Sequence, residues 1–177
     1  LLGAFNSNGS RPFGGAMDEV SIWNKELSES EITSLQTNKL LGNESQLRLY
    51  YTFNEDDAES QVIKDFSNAG NNAGMLNGPL LRTKVDGSNP CVEIQLPPNT
   101  SCGSVLNFDG IDDHIVTNIR ASNFLDKDFT VEAWIYLDEY SSSFASMIMS
   151  NRAGNEGVML YVSGEGNLRN EVGNLHL

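Results

Sequence analysis

Residues 15–35 read GAMDEVSIWNKELSESEITSL, and in this stretch a strand pattern is followed, after a short connection, by the start of a helix. Val20 and Ile22 lie on one face of the predicted strand, because side chains alternate between faces with a period of two. The opposite face carries Glu19, Ser21 and Trp23. The pattern therefore predicts a strand at 17–23 that is covered on one face.

The helix start in this stretch carries several coincident signals. Ser28 and Glu31 have the S-x-x-E spacing of a capping box. Leu27 precedes the cap and Ile32 occupies the fourth helical position, which is the spacing of a hydrophobic staple. Together these signals predict one short helix near residues 28–38.

Strand patterns recur through the rest of the chain at intervals of roughly 8–12 residues, with Gly- and Asn-rich turns between them. Residues 47–53 alternate between apolar and polar positions, and residues 129–140 form the longest strand pattern. Helical patterns are almost absent outside the first 40 residues. This organisation predicts an all-β protein with an antiparallel β-sandwich or barrel.

The charge balance excludes two classes of partner. The chain of 177 residues has 11 Lys and Arg against 24 Asp and Glu, a net charge of −13. Nucleic acid and anionic membrane surfaces require basic patches, so neither is expected as a partner. No apolar run reaches the length of about 20 residues that spans a bilayer, so no membrane insertion is expected. An acidic chain is compatible with a solvated exterior and with Ca²⁺.

The chain contains two cysteines, Cys91 and Cys102, in the segment PCVEIQLPPNTSC. A disulfide that closes a hairpin in a secreted protein is the favoured interpretation. The alternative is two buried free thiols. Zinc is not indicated, because neither a C-x-x-C pair nor a nearby histidine is present.

Several motifs resemble the laminin-G/concanavalin A-like jelly-roll family, in its bacterial, pentraxin-related (LamG-like) form. Its opening strand is similar to LRLYYTFNE at 47–55, followed by a D-x-S-x-x-G-N-x-x-G match at 65–74. An F-D-G-x-D-D turn at 108–113 and an F-T-V-E-A-W-I-Y strand at 129–136 come next. The family's closing motif is similar to residues 15–32. The resemblance implies an antiparallel jelly roll.

The order of these motifs differs from that of the family, since the closing motif comes first. The resemblance implies that residues 1–40 are the C-terminal tail of one repeat and 41–46 are a linker. Residues 47–177 are then the N-terminal two-thirds of the next repeat, with a cysteine-containing insert at 80–103. A circular permutant is the alternative, but the family's middle strands are absent. The only opening strand available to the closing strand 17–23 is then strand 47–53 of the next repeat, so these two strands are predicted to pair.

Two clusters of oxygen-bearing side chains are candidate metal ligands. Carboxylate and amide oxygens are the ligands that Ca²⁺ prefers, and the resemblance implies a structural Ca²⁺. The alternative is that these Asp and Asn residues cap turns. The first cluster comprises Asp65, Asn68, Asn71 and Asn72. The second comprises Asp109, Asp112 and Asp113.

Aromatic residues on the strands are candidate ligand contacts. Trp134 and Tyr136 can stack on a sugar ring, and so can Trp23, although strand aromatics also serve as packing residues. The E-x-D-x-E pattern at 55–59 lies in a loop-like context and indicates a solvated loop rather than catalytic carboxylates. His114 and His176 are isolated and complete no catalytic triad. The chain is therefore not expected to be an enzyme.

The resemblance implies a non-catalytic extracellular module of a tandem array, secreted or at the cell surface. Its partners are expected to be a glycan or an extracellular protein, together with neighbouring repeats of the same chain. The alternative is an accessory carbohydrate-binding domain of a secreted glycoside hydrolase. Fold alone does not fix function, so both remain expectations.

Overall fold

The computed structural model describes residues 1–54, 61–76, 82–84, 104–120, 128–140, 145–152 and 157–173. Within these ranges the regular structure consists of eleven β-strands and one short α-helix. The strands lie in antiparallel sheets, which confirms the predicted all-β fold class.

The first sheet is built around its central strand, β1 (Gly14–Trp23), which is hydrogen-bonded along both edges. One edge pairs with β8 (Thr130–Leu137) over nearly the full length of β1. The other edge is divided between two strands. Its C-terminal half pairs with β2 (Leu47–Tyr51), and its N-terminal half pairs with β6 (Ser104–Asp109). A short strand, β5 (Arg82–Lys84), continues the sheet beyond β6.

The pairing of β1 with β2 joins the predicted tail of one repeat to the predicted start of the next. Val20 lies opposite Tyr51 and Ile22 lies opposite Leu49 in the antiparallel register. The predicted pairing of strand 17–23 with strand 47–53 is therefore confirmed. Residues 1–40 thus supply the strand on which β2, β6 and β8 assemble.

Six further strands form two sets of three. In one set β10 lies between β9 and β11, with the bounds β9 (Ala145–Ser150), β10 (Gly157–Ser163) and β11 (Leu168–Gly173). In the other set β4 lies between β3 and β7, with the bounds β3 (Val62–Ile63), β4 (Ala73–Leu76) and β7 (His114–Val116). Leu2 connects the two sets, because it forms isolated β-bridges with both Ile115 and Met149.

The main core contains apolar side chains from the first sheet and from the two three-stranded sets. Val20 and Ile22 are buried in it, as the alternation of β1 predicts. Phe13 and Phe108 pack edge to face there, with ring centroids 5.7 Å apart. Apolar burial of this kind is the main favourable contribution to folding.

The outer face of β1 is also covered, which corrects the prediction of a strand covered on one face only. Trp23 is only 3% exposed and packs in a second apolar cluster with Leu27, Leu47 and Tyr50. Leu35 at the end of the helix and Leu40 in the loop after it pack against this cluster. The helix and its loop therefore exclude water from Trp23, which lies on the face that the polar positions of β1 assigned to solvent.

The helix, α1 (Glu29–Leu35), begins as predicted and ends earlier than predicted. The Ser28 side chain accepts a hydrogen bond from the Glu31 amide, and the Glu31 carboxylate accepts one from the Ser28 amide, so the capping box is present. The helix ends because the Ser34 carbonyl accepts hydrogen bonds from Thr37 and Asn38. No helix within the described ranges is both long and apolar enough to cross a bilayer.

At Gly15 the backbones of β1 and β8 approach each other closely. Its φ is +140°, and a Cβ at this position would fall on the Tyr136 carbonyl oxygen and 3.1 Å from the Asp138 amide nitrogen. We expect Gly15→Ala to lower the free energy of unfolding by about 2–4 kcal/mol, measured by urea denaturation, because it adds backbone strain and separates the strands.

Gly74→Ala in β4 is the matched control for this substitution. A Cβ at Gly74 meets no atom within 4 Å. We expect its effect to stay within about 1 kcal/mol. Equal effects of the two substitutions would contradict the close approach of β1 and β8.

Candidate functional site

A cavity of about 680 Å³ lies against β8 and reaches both faces of this strand. On the outer face of the first sheet it is bounded by α1, by the loop after α1 and by polar and aromatic side chains; we call this part the outer half. On the core side it is bounded by apolar side chains of β8, β9 and β10; we call this part the inner half. The outer half is lined by Glu19, Ser21, Lys39, Tyr50, Glu132 and Trp134. The inner half is lined by Val131, Ala133, Ile135, Ile148 and Leu160.

A β-bulge in β1 places two consecutive carboxylates on the outer side. Asp18 lies opposite Trp134 and Ser21 lies opposite Glu132, so β1 has one residue more than β8 between these pairs. Glu19, inside the bulge, has a φ of +49°, a left-handed conformation that is uncommon for residues other than glycine. Bulges of this kind redirect side chains and occur next to active sites.

Asp18 holds the bulge in place. Its Oδ1 accepts a hydrogen bond from the Glu19 amide at 2.8 Å. Met17 and Val20, on either side of the bulge, are both buried in the main core. The two residues between them therefore lie on the outer side, where Glu19 lines the cavity.

Hydroxyl and indole donors position the carboxylates of the outer half. The Tyr50 hydroxyl donates a hydrogen bond to the Glu19 carboxylate. The Ser21 hydroxyl donates to Glu132 Oε2 at 3.2 Å and accepts from Trp23 Nε1 at 3.0 Å. Glu19 and Glu132 are thus fixed as acceptors by donors on neighbouring strands.

Burial raises the pKa of each acidic group around the bulge. The pKa of Asp18 rises to about 8, first because burial disfavours its charged form and then because Glu19 carries a like charge. Burial also raises the pKa of Glu19 and of Glu132. For Tyr50 the pKa is raised by burial and by its hydrogen bond to Glu19. Asp18, Glu19 and Glu132 therefore retain their protons to a higher pH than solvated carboxylates do.

The predicted ligand aromatics occupy different environments. Trp134 is partly buried and lines the cavity together with Glu19 and Glu132. Tyr136 is 43% exposed and lies outside this cavity. Trp23 is buried and donates to Ser21, so the packing interpretation holds for it.

Sequence reasoning missed the carboxylates of this site. Glu19 and Glu132 belong to strands that lie far apart in the sequence, and only the pairing of β1 with β8 brings them together. The available signal was the pair Asp18–Glu19, since two consecutive carboxylates interrupt the alternation of a buried strand.

Asp65, a predicted metal ligand, is surrounded by hydrogen-bond donors. Its carboxylate accepts from the Tyr50 amide, the Ser67 amide and hydroxyl, and the Asn71 amide, at 2.7–2.9 Å. A bound cation needs the same lone pairs. The geometry favours the alternative interpretation, in which Asp65 organises the turn and attaches it to β2.

The neighbouring amides have the same structural role. The Asn71 side chain donates to the Arg48 backbone carbonyl, and the Asn71 backbone carbonyl accepts from the Tyr51 hydroxyl. The Asn72 side chain accepts from the Asp65 amide. Asn68 is exposed, and its amide donates to the Gly42 carbonyl.

The carboxylates of the second predicted metal cluster lie close together. One carboxylate oxygen from each of Asp109, Asp112 and Asp113 lies within 4.8 Å of the others. Asp109 Oδ1 accepts from the Ile111 amide, and Asp113 Oδ2 accepts from the Asp109 amide. This acidic triad can therefore hold a cation.

Several predictions concern residues outside the described ranges. These are the disulfide between Cys91 and Cys102, the acidic run at 55–59, and His176. His114 lies within the described ranges; it is buried, with Nδ1 2.9 Å from the Asp112 carbonyl oxygen.

No family model, curated protein or solved structure matches the chain.

The raised pKa of Asp18 predicts how stability depends on pH. The folded pKa of about 8 exceeds the ordinary aspartate pKa of 3.8, so the folded state binds more protons between these values. The contribution of Asp18 to the stability of the native chain therefore falls as the pH rises from about 4 to about 8. Asp18→Asn cannot ionise and keeps an oxygen for the Glu19 amide. We expect the free energy of unfolding of Asp18→Asn, relative to that of the native chain, to increase over this pH range by at most about 1.4 kcal/mol per pH unit.

Urea unfolding at several pH values measures this difference. Asp138→Asn, at an exposed position after β8, is the matched control and should follow the native profile. Parallel profiles for Asp18→Asn and the native chain would show that the Asp18 pKa is not raised by folding.

Proposed function

We propose that the chain is a non-catalytic binding module, with a laminin-G-like jelly-roll fold, that holds a neutral carbohydrate in the outer half of the cavity. The observation that carries this proposal is the presence of Trp134, Glu19 and Glu132 in one cavity. An aromatic ring offers an apolar surface to the C–H face of a sugar. Fixed carboxylates accept hydrogen bonds from its hydroxyl groups, and such charge-assisted bonds are strong.

The electrostatics of the outer half favour a neutral sugar over an anionic one. Lys39 is the basic residue among the described residues that line the cavity, and it lies with Glu19 and Glu132. An acidic sugar would bring a further negative charge to this group. A neutral sugar instead supplies hydroxyl donors to the carboxylates and acceptors to the lysine.

Binding rather than catalysis agrees with the hydrogen bonds of the two glutamates. The Tyr50 hydroxyl donates a hydrogen bond to Glu19, and the Ser21 hydroxyl donates one to Glu132. Both carboxylates are therefore oriented acceptors before a ligand arrives, and pre-organised polar groups give specificity in a binding site.

We further propose that this module belongs to a tandem array outside the cell, secreted or surface-attached. The pairing of β1 with β2 supports this proposal, since a closing strand that pairs with the next opening strand would join consecutive repeats through a shared sheet. The acidic exterior, with a net charge of −13, suits a solvated extracellular module.

A glycan array followed by calorimetry tests carbohydrate binding. We expect at least one neutral oligosaccharide to bind, and we expect Trp134→Ala to weaken binding about tenfold, because the stacking surface is lost. Tyr140→Ala removes an exposed aromatic residue outside the cavity and should leave the affinity unchanged. The proposal fails if no neutral glycan binds or if Trp134→Ala binds as tightly as the native chain.

We propose that the acidic triad of Asp109, Asp112 and Asp113 holds a structural Ca²⁺. A cation that binds only the folded state stabilises it by mass action. Excess CaCl₂ should raise the melting temperature by a few degrees relative to chelator, measured by calorimetry. Asp112→Asn should abolish this increase. An unchanged increase in the variant would place the ion elsewhere, and no increase in the native chain would exclude a structural ion.

A further inference from the structure

The edge of β8 that faces away from β1 has no strand partner within the described residues. The cavity indicates that this edge is accessible, because it is lined by described residues of both faces. Val131 and Ile135 line it on the core side, while Glu132 and Trp134 line it on the outer side. A cavity that touches both faces of one strand must pass along the edge of that strand.

An open edge offers backbone hydrogen bonds to an incoming strand. Residues of an edge strand present unpaired amide and carbonyl groups on alternate positions, and these groups are a template for another chain. The accessible part of β8 includes residues 131–135, which line the cavity.

The core side of this edge is apolar and incompletely covered. Val131 and Ile135 of β8 are only partly buried, and so is Leu160 of β10. Leu168, at the start of β11, also lines the cavity and is 65% exposed. A strand placed along β8 would direct every second side chain towards these residues and remove them from water.

The outer side of the same edge is acidic. Glu132 alternates with Val131 and Ala133 on β8, and Glu19 lines the cavity beside it. A strand placed along β8 would direct its remaining side chains towards this outer side. Lys or Arg at these positions would complement the carboxylates, whereas Asp or Glu would be repelled.

We propose that the edge of β8 binds an added β-strand of a protein partner, with apolar side chains on one face and Lys or Arg side chains on the other. The added strand extends the first sheet through backbone hydrogen bonds, its apolar face fills the inner half, and its basic face meets Glu132 and Glu19. A second copy of this chain fits less well, because each copy carries a net charge of −13 and the same acidic edge. This inference goes beyond carbohydrate binding, since it uses the inner half and the backbone edge.

Calorimetry of the full chain with synthetic peptides tests the proposal. The probe is a capped peptide of alternating Val and Lys. One comparison peptide is N-methylated at every central amide and so lacks backbone donors; another replaces Lys by Glu. We expect the Val–Lys peptide to bind and each comparison peptide to bind at least about tenfold more weakly, because lost hydrogen bonds and reversed charges both oppose strand addition.

Amide hydrogen exchange locates the peptide on the chain. The amides of residues 131–135 that face away from β1 should become protected when the Val–Lys peptide binds. Leu160→Asp should weaken binding of the Val–Lys peptide about tenfold or more, because it places a charge in the apolar inner half. Leu41→Asp, at a position 84% exposed and outside the cavity, should have no effect. Circular dichroism verifies that both variants fold.

The proposal is overturned if the Val–Lys peptide does not bind, if N-methylation or the replacement of Lys by Glu leaves the affinity unchanged, or if protection appears away from residues 131–135. Loss of glycan binding on its own does not alter these outcomes. The peptide experiment therefore tests strand binding at the β8 edge independently of carbohydrate binding.

Discussion

The two-sided pairing of β1 is the constraint on which the rest of the structure depends. β8 binds one edge of this strand, while β2 and β6 share the other edge. Because β2 ends where β6 begins along β1, removing β1 would leave three strands without a common partner. The close approach at Gly15, where β8 backbone occupies the space of a side chain, belongs to the same constraint. A strand encoded near the start of the chain thus organises strands encoded much later.

The bulge at Glu19 connects this constraint to the candidate site. A regular β1 would place Asp18 and Glu19 on opposite faces and direct one carboxylate into the core, which is costly for an unpaired charge. The bulge avoids this cost because both carboxylates lie on the outer side, yet it holds Glu19 in a left-handed conformation. Strained backbone of this kind persists only where the surroundings determine it. Here the surroundings are the buried neighbours Met17 and Val20 and the hydrogen bond from the Glu19 amide to Asp18.

Features that depend on neighbouring residues could be predicted from the sequence, whereas features that depend on strand pairing mostly could not. The capping box of Ser28 and Glu31 was predictable because its partners are three positions apart. The all-β class followed from recurrent alternation, and the β1–β2 pairing followed from the motif order. The burial of Trp23 was not predictable, since α1 and its loop cover it only after the chain folds back. The cavity was not predictable either, because Glu19 and Glu132 meet through a register that alternation alone does not specify.

The position of β8 explains why one cavity offers two chemically different halves. An interior strand would be covered on both edges, and its two faces would contact separate environments. β8 is paired along one edge within the described residues, so the polar outer face and the apolar core face open into the same space. The raised pKa values of Asp18, Glu19 and Glu132 show that burial opposes charge on the outer side even though this side is open. Under either proposal, a ligand that covered the outer half would meet groups that are already partly desolvated, and its hydroxyl donors or basic side chains would stabilise their charged forms.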